Sequence, residues 1–251
     1  MSGHSKWSTI KRKKGAADAK RGQVFTRLAR EITIAAREGG GDPDANFRLR
    51  LTVDRARASN MPKDNIERAI ARGTGDSKEG SQLEEVYYEG YAPHGIALMI
   101  NCVTDNRNRA VADIRHVLTR FGGSLGEGGS VGWQFTRLAY FSFPDKNHDH
   151  DELFEIAVEA GADDITFDDG EVEIIGPVEA FKEISDGLHE AGIQPEEAGL
   201  RMVPNNEIAL RSDETLQVMR VIENLEELDD VQEVYSNLNI SDEALAQLEA
   251  A

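Results

Sequence analysis

A single cysteine, Cys102, stands among the 251 residues. That excludes a disulfide scaffold and a cysteine-rich zinc site. No apolar run approaches the eighteen or more residues of a membrane-spanning helix. The opening MSGHSKWSTIKRKK is basic but has no apolar core, so it does not read as a secretory signal. A cytosolic protein with no membrane partner is the expectation. No nucleophile elbow, metal box or paired-carboxylate motif stands out, so no catalytic residue, metal or cofactor is expected. Basic residues are also scarce. Lys plus Arg number 28 against 46 Asp plus Glu, a net charge of −18. The total argues against a nucleic-acid partner until the charge is located.

Residues 1–80 carry 18 Lys/Arg and 10 Asp/Glu, a net of +8. Residues 81–251 carry 10 and 36, a net of −26. Such asymmetry describes a basic binding module joined to an acidic body. The basic end can meet phosphates while the acidic end faces away or meets a basic partner. A charge run is also what a solvated face looks like.

The pattern along the chain predicts a flexible arm over 1–14 and a helix over about 15–38. In that helix Val24, Leu28, Ile32 and Ala35 form an apolar stripe, with Lys20, Arg27, Arg30 and Arg37 on the opposite half. Asp42 is the expected cap of a second helix over 43–58, with Pro43 at its first position. A third runs from Pro62 to Gly73, and a Gly-rich linker covers 73–82. Strands follow at 85–91 and 96–103, a helix at 106–121, a glycine loop at 122–132, and strands at 131–135 and 138–143. Helices at 151–161 and 177–191 flank a hairpin of 164–168 and 171–175, and a strand covers 199–203. The chain closes with a helix at 213–228, a strand at 231–236 and a short helix at 242–249.

This order predicts an α+β protein: an N-terminal three-helix domain followed by two α/β (ferredoxin-like) domains, the second inserted in the first. The expected boundaries are 1–80 for the basic helical domain, 81–132 with 206–251 for the first acidic domain, and 133–205 for the insert.

The candidate nucleic-acid-binding residues come from three places. The arm supplies Lys6, Trp7, Lys11, Arg12, Lys13 and Lys14, cations for phosphates around an aromatic that can stack on an unpaired base. Trp7 could equally anchor the arm to the helical core. The first helix supplies Lys20, Arg21, Arg27 and Arg30. The segment TDNRNRA supplies Arg107 and Arg109, two cations in a first turn where the macrodipole disfavours them. A bound anion would reconcile that, and so would ion pairs to the acidic body. The glycine loop lacks the Gly-Lys-Ser/Thr ending of a phosphate loop. His148-Asp149-His150-Asp151 reads as a solvated loop rather than a metal site, and Cys102 as core.

Several runs in one order resemble the YebC/PmpR family: GHSKW at 3–7, DAKRG at 18–22, GGGDPDAN at 39–46, NMPKDNIERAI at 60–70, YEGYAPHG at 88–95, TDNRNRA at 104–110 and DDVQEVYSNLNI at 229–240. Ser2, Ala92 and His94 depart from the family pattern. The resemblance implies an N-terminal helical domain and two α/β domains, the last inserted into the middle one. It implies a probable transcriptional regulator that binds DNA. Other members, including mitochondrial translational activators, are ribosome-associated, and bacterial ones are linked to relief of stalling on proline-rich stretches. The family has no settled catalytic residues. The expected partner is therefore ribosomal RNA or duplex DNA, with an acidic protein-interaction scaffold as the alternative. Nothing in the sequence calls for an obligate dimer.

Overall fold

The computed structural model describes residues 18–75, 83–146, 148–168, 170–240 and 244, with backbone alone for 18–21. The arm over 1–14, most of the linker and most of the closing helix lie outside the described residues.

Three helices open the described chain: α1 (Asp18–Gly39), α2 (Phe47–Ala58) and α3 (Lys63–Thr74). Leu28, Ile32, Ala35 and Ala36 of α1 bury against Leu49 and Val53 of α2 and Ile66 and Ala69 of α3. Val24, expected in this stripe, is 40% exposed, and Phe25 packs beside the core instead. Gly73 lets α3 approach α1, since a Cβ there would sit 2.4 Å from the Thr33 carbonyl oxygen. The second helix begins later than the sequence predicts. Asn46, not Asp42, is its cap: the side chain accepts from Leu49 N at 3.1 Å and donates to the Ala35 and Gly40 carbonyls at 2.7 and 2.8 Å. One buried amide thus closes α1 and opens α2. Asp42 caps only a turn, accepting from Asp44 N at 3.0 Å.

The middle region holds β1 (Glu84–Tyr91), β2 (Ala97–Thr104), α4 (Arg107–Arg120) and β3 (Ser124–Leu125). After the insert, the chain returns through β8 (Ile208–Ala209), α7 (Ser212–Glu226), β9 (Val231–Ser236) and β10 (Leu238–Asn239). The four-stranded sheet has the order β3-β1-β2-β9, and β2 pairs antiparallel with both β1 and β9. Every residue of β2 is buried. Leu98, Ile100 and Cys102 face α4 and α7 through Ile114, Leu118, Val218 and Ile222. Val103 meets Ile34 of α1 and Leu83, so the helical head covers part of the other face.

The inserted region runs β4 (Phe135–Pro144), α5 (His150–Glu159), β5 (Asp164–Asp168), β6 (Glu171–Gly176), α6 (Phe181–Glu190) and β7 (Glu197–Pro204). Its sheet order, β5-β6-β4-β7, is the ferredoxin-like βαββαβ arrangement around Phe141, Phe143, Ile174 and Ile184. The middle region also sets four strands against two helices, but its chain order is ββαβ followed by αβ. Contacts divide the chain into two compact units, residues 135–203 and the remainder.

The expected strand at 131–135 is instead a short turn, Gly132–Gln134, ahead of one long strand. The cause is Glu89. Its carboxylate accepts from the backbone N–H groups of Gly129 at 2.6 Å, Val131 at 2.6 Å and Gly132 at 2.7 Å. Donors committed to a carboxylate are lost to a ladder. Burial works against the charge, but these three donors outweigh it and hold the Glu89 carboxyl below its ordinary value.

Candidate nucleic-acid interface

The cationic half of α1 is not a free surface. Arg30 donates to the Asp229 carbonyl and lies 3.2 Å from Asp230 Oδ1. Arg37 donates to the Leu83 carbonyl. Arg27 is half-buried near Glu226, Glu31 and Asp229, and desolvation lowers its pKa despite them. Its Nε has no hydrogen-bond partner among the described residues. The periodicity that puts these cations opposite the apolar stripe is right, yet that half meets the acidic end of the middle region. Arg48 of α2 joins the same junction. It pairs with Glu38 at 2.5 Å and Glu85 at 3.3 Å. Burial alone would lower its pKa, but the two carboxylates raise it.

Arg109 reaches the same acid from the other side. Its Nε and Nη2 donate to Asp230 at 2.9 and 2.8 Å, a bidentate fork, and Nη2 also donates to Asp105 at 2.8 Å. The hydrogen bonds it donates to Asp230, then to Asp105, raise the Arg109 pKa. Asp230 is only 4% exposed, and its backbone carbonyl accepts from Val103 N at 2.9 Å. Arg107 donates through Nε to Glu84 at 2.6 Å and remains largely exposed. The two arginines in the first turn of α4 are thus neutralised within the chain. A phosphate reaching Arg30, Arg107 or Arg109 has to compete with Asp230 or Glu84.

The other sequence candidates fall where no side chain can be placed. Lys6, Trp7, Lys11, Arg12, Lys13 and Lys14 lie outside the described residues. Lys20 and Arg21 belong to α1, with their side chains outside them.

Sequence reasoning passed over a second basic feature. A cleft of about 390 Å³ opens between α1, α3 and the entry to β1. Arg30, Arg68 and Arg72 line it together with Asn65, Phe25 and Met61. Arg68 donates to Asn65 Oδ1 at 2.6 Å and to the Asp64 carbonyl at 3.2 Å. Neither Arg68 nor Arg72 meets a carboxylate among the described residues. The available signal was the spacing in NMPKDNIERAIAR, which puts Asn65, Arg68 and Arg72 on one helical face.

The remaining polar motifs have structural roles. Asp149 caps α5, accepting from Asp151 N at 3.0 Å and Glu152 N at 3.3 Å. His150 stacks on Phe167 with ring centroids 3.9 Å apart and pairs with Asp145 at 2.9 Å. Among the described residues no three His, Cys, Asp or Glu side chains gather as a metal site, and no helix is long and apolar enough to cross a membrane. Burial pushes the Cys102 thiol up to about 12. His94 takes a positive φ of 64° in the turn after β1, where its ring lies 3.0 Å from Gln217 Oε1.

Residues 5–76 match the family model described as the TACO1/YebC protein N-terminal domain, and residues 83–238 match the TACO1/YebC second and third domain. A protein of Rubrobacter xylanophilus is 51% identical over 248 residues, 99% of each chain. One of Geotalea uraniireducens is 48% identical over 248 residues, 99% of this chain and all of its own. Both are named "Probable transcriptional regulatory protein". The crystal structure of a conserved hypothetical protein from Aquifex aeolicus superposes with a TM-score of 0.81 at 42% identity, covering 90% of this chain and 93% of that one. With nearly the whole length accounted for, the chain belongs to the TACO1/YebC family.

Proposed function

We propose that the protein is a non-enzymatic, RNA-binding regulator of gene expression that works in the cytoplasm as a ribosome-associated translation factor. The observation that carries this reading is the division of charge, +8 over residues 1–80 against −26 over the rest. The basic arm with Trp7 supplies phosphate contacts and one stacking surface, and the acidic body limits adhesion to nucleic acid elsewhere. RNA of fixed shape presents phosphates and unstacked bases together, which suits such a head. The resemblance points to relief of stalling on proline-rich stretches as its task.

A second reading, a transcriptional regulator on duplex DNA, is favoured by the names of the relatives. Against it stands the placement of Asn65, Arg68 and Arg72. This is the row on α3 best suited to read base edges, and it shares a cleft with Phe25, Arg30 and Leu83.

Binding to a structured ribosomal RNA fragment and to random duplex DNA, each across a salt series, tests the proposal. About five phosphate contacts give a log–log slope near −4.5 on duplex and near −3.5 on single strands. RNA should retain the protein at salt that releases the duplex. Equal or tighter binding to duplex DNA at every salt would return the transcriptional reading to first place.

A further inference from the structure

We propose that the cleft between α1 and α3 takes one unpaired, phosphate-bearing nucleotide of a single-stranded RNA. This deepens the functional reading above and rests on it. In a chain of net charge −18, several arginines are already paired: Arg48 with Glu38, Arg55 with Glu31, Arg107 with Glu84, and Arg30 in the cleft wall with Asp230. Arg68 and Arg72, at the mouth of the cleft, meet no carboxylate among the described residues. Both are exposed, and they stand four residues apart on one side of α3. Arg68 has donors left beyond those to Asn65 and the Asp64 carbonyl, and a guanidinium that meets no carboxylate among the described residues can turn its donors to phosphate.

The cleft also has an apolar wall. Phe25 is only half-buried, and Met61 lies beside it. An aromatic face next to a soft thioether accepts any base without reading its sequence. The volume, about 390 Å³, lies in the range of roughly 300–1,000 Å³ typical of small-ligand clefts. A cleft of that volume does not enclose a paired duplex. Asp105, the acid on the rim, is held by Arg109 at 2.8 Å and so does not oppose a phosphate with a free charge. Arg30, also in the cleft wall, is fixed to Asp230.

The test is fluorescence anisotropy of the full chain with a labelled single-stranded RNA decamer, across a salt series. A blunt-ended, fully paired RNA duplex serves as the second probe. The variant R68Q/R72Q should melt like the wild type, since both side chains are exposed. It should bind the decamer about tenfold more weakly for each guanidinium removed, with the salt slope shallower by about 1.4. Its affinity for the duplex should stay unchanged. Phe25→Leu keeps an apolar side chain and should lose roughly fivefold or more on the decamer alone. If wild type binds the decamer and R68Q/R72Q matches it in affinity and slope, the cleft is overturned while the functional reading stands. If wild type binds neither RNA, the functional reading fails and takes the cleft with it.

Discussion

Asp230 is the acid that two arginines share, and its removal is the sharpest test of how the helical head is held. Asp230→Asn keeps the shape and takes away the charge. In the native chain the carboxylate accepts the Arg109 fork at 2.9 and 2.8 Å and faces Arg30 at 3.2 Å. Breaking a fully buried pair costs about 3–5 kcal/mol, because the orphaned charge has nowhere to go. Here the orphans are better placed. Arg109 is half exposed and keeps Asp105, while Arg30 keeps the Asp229 carbonyl. The expected loss is therefore about 2–3 kcal/mol. For a unit of this size that is a fall in melting temperature of about 5–10 °C. Urea unfolding followed by circular dichroism gives the free energy. A double-mutant cycle of Asp230→Asn with Arg30→Gln isolates the head's share, expected at about 1 kcal/mol of coupling. A loss below about 0.5 kcal/mol with no coupling would refute the reasoning and mean that the head is held by apolar contacts alone.

Other outcomes follow from the same geometry. Glu89→Gln removes the charge that three backbone N–H groups hold, and should cost about 2 kcal/mol at neutral pH. Because the folded carboxyl lies below its ordinary value of 4.5, that contribution is complete above this value and is lost as the pH falls through the folded pKa; the gap between wild type and variant in unfolding titrations should close there. Gly73→Ala brings a Cβ against the Thr33 carbonyl at 2.4 Å and should destabilise by about 1–3 kcal/mol by urea titration, where an ordinary helical glycine would gain from alanine. Cys102, with its thiol pushed up to about 12, should resist alkylation in the native chain at pH 8 and react on unfolding, as read by mass spectrometry.

What the sequence disclosed and what it hid separate along physical lines. Helix phase is local, so Leu28, Ile32 and Ala35 were legible as the core side of α1. Caps were less legible. Asp42 and Asn46 both suit the position, and only packing shows that Asn46 also reaches the Ala35 carbonyl. Glu89 and the glycine loop lie forty residues apart, and no periodicity predicts that a carboxylate will take the loop's donors. Arg109 and Asp230 are 121 residues apart, so the charge-dipole conflict in TDNRNRA and its relief by ion pairs to the acidic body were legible, but the partner Asp230 was not. The cleft was hidden for a related reason. Arg68 and Arg72 look like ordinary solvated cations until the fold brings Phe25 and Leu83 beside them.

The central claim, that the basic head directs this protein to the ribosome, is tested most directly by co-sedimentation. Purified full-length protein is spun with ribosomes across a salt series, against an excess of random duplex DNA. The account predicts retention with ribosomes despite the DNA, and loss of it when Lys11, Arg12, Lys13 and Lys14 are all reversed to Glu. Displacement by the DNA, no co-sedimentation at any salt, or undiminished retention of the reversed variant would contradict it.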